Sequence, residues 1–113
     1  MNSFVKLMEC PVRTALKVIG GKWKPVILYH LMLGRKRYSE LQKLIPEASQ
    51  KVLTQHLREL IRDGIILREV LPGVTSKVEY SMTVYGDTLR PVLQELCEWG
   101  EKRKKKSKEL SAC

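Results

Sequence analysis

The chain has 113 residues, 43% of them apolar, with 21 Lys or Arg against 12 Asp or Glu and a formal net charge of +9. That length suits a single domain over residues 1–113, the apolar share excludes a disordered or collagen-like chain, and the longest aliphatic or aromatic run, Val26-Ile27-Leu28-Tyr29, falls far short of the ~20 residues that cross a bilayer. Met1 to Glu9 carries no signal-like apolar stretch, so a cytoplasmic protein is expected, and Cys10, Cys97 and Cys113 lie too far apart for a disulfide framework or a paired zinc site, which makes free thiols of them.

Cys10-Pro11 followed by Val12, Ala15, Leu16 and Ile19 has helical spacing, with Pro suited to the first helical position and Gly20-Gly21 to the end. Trp23 to Leu33 is apolar around most of a helical circumference, as in a buried central helix, and Gly34 stops it. Ser39 with Gln42 three residues on reads as a capping box for a short third helix carrying Leu41, Leu44 and Ile45, closed by Pro46. Ser49 can cap a fourth helix whose buried stripe is Leu53, Leu57, Leu60 and Ile61, ended by Asp63-Gly64. Ile65 to Leu71, a turn at Pro72-Gly73-Val74-Thr75 and an alternating Lys77 to Met82 read as a β-hairpin. Leu89, Val92, Leu93, Leu96 and Trp99 then mark a long amphipathic helix that can start after Thr83 and must kink or restart near Pro91. Two short helices joined by a tight turn and followed by a hairpin are the parts of a winged helix-turn-helix, an α+β fold that is mostly α.

The excess charge is distributed rather than concentrated. Residues 101–109 hold six cations and two carboxylates, while residues 1–100 hold 15 cations and 10 carboxylates, so the body stays basic without its lysine-rich C-terminal tail (101–113), itself expected to be solvated. Opposite the buried stripe of the fourth helix, Lys51, Thr54, Gln55, Arg58 and Arg62 form one stripe without a carboxylate, with Ser49 and Gln50 at its start. Gln50 and Gln55 can bond adenine edges, Lys51 and Arg58 guanine or phosphate, and Thr54 a thymine methyl or a phosphate. Arg35, Lys36 and Arg37 precede the third helix, where side chains and helix N-terminal amides can meet phosphate, and Lys77, beside Ser76 at the hairpin tip, can reach the flanking phosphate or the minor groove. Nothing resembles a catalytic constellation or a cofactor or metal site: His30 and His56 lack partners at ligand spacing, His30 reads as a hydrogen-bonded core histidine, and the glycines never form a phosphate loop. An enzyme is not expected.

The motifs Cys10-Pro11, Gly21-Lys22-Trp23, Arg37-Tyr38-x-Glu40-Leu41, Ile45-Pro46, Leu53-Thr54-x-x-Leu57-x-x-Leu60, Asp63-Gly64, Val78-Glu79-Tyr80-Ser81-Met82-Thr83, Gly86 and Leu96-x-x-Trp99 resemble the HxlR-type winged-helix transcriptional regulators, relatives of the MarR group, over about residues 10–100. The resemblance implies a homodimer that pairs through its N- and C-terminal helices and binds a pseudo-palindromic operator in duplex DNA. The apolar residues Leu89, Leu93, Leu96 and Trp99, more than a monomer's last helix requires, are the expected dimer interface. Regulators similar to this one use a Cys at the position of Cys10 to sense oxidants or electrophiles. Here a helix N-terminus and Arg13 would favour its thiolate, and the rival role is a thiol kept for packing or capping. The rival function is a winged-helix module that binds protein or RNA without reading an operator.

Overall fold

A computed structural model describes residues 10–73 and 77–111; residues 74–76 of the expected turn and Cys113 lie outside them. In chain order come α1 (Pro11–Ile19), α2 (Lys24–Leu33), β1 (Lys36–Arg37), α3 (Tyr38–Leu44), α4 (Gln50–Arg62), β2 (Ile66–Leu71), β3 (Lys77–Met82), a 3-10 turn (Gly86–Leu89) and α5 (Arg90–Ser111). This is a winged helix-turn-helix, mostly helical, with one small antiparallel sheet of order β1-β3-β2.

Local chemistry sets most boundaries. Ser49 lies outside α4 in an extended conformation and its Oγ accepts from Val52 N at 3.2 Å, answering one of the amides a helix start leaves bare. At the other end the amides of Gly64 and Ile65 donate back to the carbonyls of Ile61 and Leu60, with Gly64 at φ 74°, a closure that favours a residue without Cβ. The third helix differs from expectation. It begins at Tyr38, and Glu40 rather than Gln42 reaches back, accepting from Arg37 N at 2.9 Å; a guanidinium has no acceptor to return the bond, so half a capping box suffices. The basic residues just before α3 form the short strand β1. Its two residues pair with Tyr80 and Glu79 of β3.

Ile27, Leu28, Leu41, Ile45, Leu53, Leu57, Leu60 and Ile66 are fully buried and join the helix-turn-helix to the base of the wing. Along β2 burial falls off from Ile66 through Arg68 to Val70 on the same face, because the hairpin projects beyond the body that covers its root. A Cβ on Gly86 would lie 1.9 Å from the Ile65 carbonyl oxygen, so the chain crosses the end of the hairpin only at glycine. Thr83 fastens that crossing, its hydroxyl donating to Gly64 O at 2.6 Å and accepting from Gly86 N at 2.8 Å. Pro91 then sits in the first turn of a new helix, where its missing N–H costs nothing, and the Arg90 guanidinium grips both Asp87 Oδ1, at 2.8 Å, and Met32 O, at 3.2 Å. α5 runs on through the lysine run, which is exposed over residues 101–108, so the expected solvated tail is a solvated helix, as long unbranched Lys, Arg and Glu side chains permit.

Candidate nucleic-acid interface

Burying Leu53, Leu57 and Leu60 turns the opposite side of α4 outward. Gln50, Lys51, Gln55 and Arg58 are exposed and Thr54 half-buried, and these five residues line one shallow groove; Ser49, exposed, is occupied as the cap of α4 and is not among them. The carboxylates of α4 and its cap are turned aside. Glu59 meets the buried Lys24 amine of α2 at 3.2 Å, and that hydrogen bond, opposed by burial but joined by the charges of Lys24, His56 and Arg62, holds its carboxyl below the ordinary 4.5. Asp63 takes Arg62 Nε at 3.3 Å. Among the described residues Lys51 and Arg58 have no ion-pair partner, so both cations that line the groove remain available. No cluster of three His, Cys, Asp or Glu side chains forms among the described residues, nor is any described helix long and apolar enough to cross a membrane.

The second basic group divides. Arg35 and Arg37 are exposed, whereas Lys36 is half-buried with its Nζ folded back to Gly34 O at 3.3 Å. Lys77, exposed at the start of β3, shares a sheet face with Glu79, and Arg37 and Glu69 lie directly across from Glu79 on its two sides. The wing therefore presents mixed charge and the helix face positive charge alone. Sequence reasoning missed Tyr38, at the first position of α3, whose hydroxyl donates to Gln50 O at 3.1 Å and lies 3.3 Å from Thr54 Oγ1, tying the two helices together across the turn. It missed Lys24 as well, because its partner is 35 positions away. His30 is half-buried and edge-on to Tyr29, ring centroids 5.5 Å apart, rather than in the core, and burial with help from Lys36 lowers its pKa from 6.5.

Of the four residues expected at a dimer interface, Leu93 is 3% exposed and Leu89 packs against the same core; both serve the chain itself. Leu96 and Trp99 are 52% and 67% exposed, with Val92 one turn before them, and Val12 and Leu16 of α1 stand equally bare. Cys97 is an exposed free thiol that lines the cleft between α2 and α5. Cys10 is half-buried at the N-cap of α1 and its side chain caps nothing.

The sequence profile of HxlR-like helix-turn-helix proteins matches residues 18–108. The HTH-type transcriptional regulator YdeP of Bacillus subtilis is 53% identical over 103 residues, spanning 91% of this chain and 80% of its own. The fold superposes on the redox regulator HypR in its oxidised form with a TM-score of 0.79 at 49% identity, covering 82% of this chain and 96% of that one. It also matches the reduced form of the transcriptional regulator YodB from B. subtilis with a TM-score of 0.73 at 38% identity, over 82% and 92% of the two chains; YodB is also known in a quinone-bound form.

Proposed function

The chain belongs to the HxlR-like helix-turn-helix family of DNA-binding transcriptional regulators, which are not enzymes, and on that premise we propose that it acts in the cytoplasm as a homodimer that reads a pseudo-palindromic operator through α4. The observation that carries this reading is the acid-free groove of Gln50, Lys51, Thr54, Gln55 and Arg58 on the second helix of the helix-turn-helix, the element that enters the major groove in such folds. Arg58 and Lys51 suit guanine O6 and N7 or phosphate, Gln50 and Gln55 suit adenine, while Arg35, Arg37 and Lys77 contact the backbone beside the site. The bare apolar rows on α1 and α5 support pairing of two chains. Cys10 is the thiol through which an oxidant or electrophile alters binding; its place as a free thiol at the start of α1, not used as a cap, and the likeness to HypR support this. Selection of bound DNA from a random duplex pool tests the reading. An inverted repeat is expected, with binding lost after diamide treatment in the wild type and kept in Cys10→Ser. Enrichment of no sequence would refute operator recognition, and equal diamide sensitivity of the two proteins would refute Cys10 as sensor.

A further inference from the structure

Three atoms at the turn of the helix-turn-helix leave little freedom for their protons. The Tyr38 hydroxyl lies 3.1 Å from Gln50 O and 3.3 Å from Thr54 Oγ1. A carbonyl oxygen only accepts, and a phenol has one proton. Both contacts are hydrogen bonds only if Tyr38 donates to Gln50 O and Thr54 donates to Tyr38. The Thr54 hydroxyl proton is then committed inward, and what Thr54 shows the outside is a pair of lone pairs and a methyl group.

We propose that Tyr38 is a positioning residue that makes Thr54 an acceptor-only reader of a base edge. The proposal rests on α4 being the recognition helix and adds the chemistry of one of its contacts. An ionised phosphate offers no donor, so Thr54 is removed from the backbone clamp. In the major groove it suits the amino groups of adenine N6 or cytosine N4, or the thymine methyl, and is mismatched with guanine, whose edge presents only acceptors. The phenol ring spans the junction of α3 and α4, so the same bond that orients the proton also fixes where the side chain stands.

The test compares binding to the selected operator and to its single-position variants for the wild type, Tyr38→Phe, Thr54→Val and the double variant, with Arg58→Ala as a control for groove reading. Thr54→Val marks the position that Thr54 reads. At that position Tyr38→Phe is expected to lower discrimination about three- to tenfold, the worth of one hydrogen bond, leaving the positions sensitive to Arg58→Ala unchanged; in the Thr54→Val background Tyr38→Phe adds nothing. A mere strut would weaken every sequence alike in both backgrounds, and that result overturns the proposal, as does a Thr54→Val protein with unaltered preferences. If the wild type and Arg58→Ala show no sequence preference at all, the recognition-helix reading itself falls; if Arg58→Ala alone changes preference, only this inference does.

Discussion

Arg58 and Gln55 are exposed on a helix side whose nearby carboxylates are both engaged, Glu59 by Lys24 and Asp63 by Arg62, the last cation of the stripe. Truncating either side chain, as Arg58→Ala or Gln55→Ala, is therefore expected to relax one position per half-site by about 1–3 kcal/mol. Lys77→Ala should weaken all sequences alike, and competition titrations with matched and mismatched duplexes separate the two patterns. His30 supplies a pH dependence. Its folded pKa lies below the ordinary 6.5 through burial and Lys36, so the unfolded chain binds more protons as pH drops through that value and stability is lost on acidification. Urea midpoints at pH 7.5 and 5.5 should differ more for the wild type than for His30→Gln. The stripe of α4 was legible because helical spacing alone places Lys51, Thr54, Gln55 and Arg58 on one side. The groups that tune it, Tyr38 and Lys24, were not, since their partners lie 12 to 35 positions away and no local pattern marks them.

Elements whose ends are made by neighbouring residues could be read from the sequence, as α4 shows with Ser49 at one end and Asp63-Gly64 at the other. β1 could not, because two residues become a strand only by pairing with Tyr80 and Glu79 more than forty positions on. The start of α3 was misplaced for a related reason. Ser39 and Gln42 fit the capping pattern, but pairing of Lys36 and Arg37 with β3 holds Arg37 extended and lets Glu40 take its amide. At the hairpin's end the seam between Thr83, Gly86 and Ile65 is the element most sensitive to a single methyl group. Gly86→Ala would drive a Cβ into the Ile65 carbonyl and should cost more than about 1 kcal/mol, read as a lowered thermal midpoint; an unchanged midpoint would mean that the seam relaxes freely.

Taken as one molecule, the protein is basic both in its body, where the groove of α4 is free of acid, and in the helical lysine run at the end of α5. Duplex binding releases counterions with a log–log salt slope of about −0.9 per phosphate neutralised. Deleting residues 102–113 is expected to flatten the slope and weaken non-specific binding while the selected sequence stays the same; a truncated, folded dimer without sequence preference would assign recognition to the run instead. Pairing of two chains is expected through Val92, Leu96 and Trp99, since Leu89 and Leu93 are used by the core, and Trp99→Glu should shift sedimentation at micromolar concentration toward the monomer. The central claim is that α4 enters the major groove twice, once per half-site. Methylation interference addresses it directly, because dimethyl sulfate marks guanine N7 in the major groove and adenine N3 in the minor. The account predicts that binding is blocked by guanine N7 methylation in two patches about one helical turn apart; interference confined to adenine N3, or none in the major groove, would contradict it.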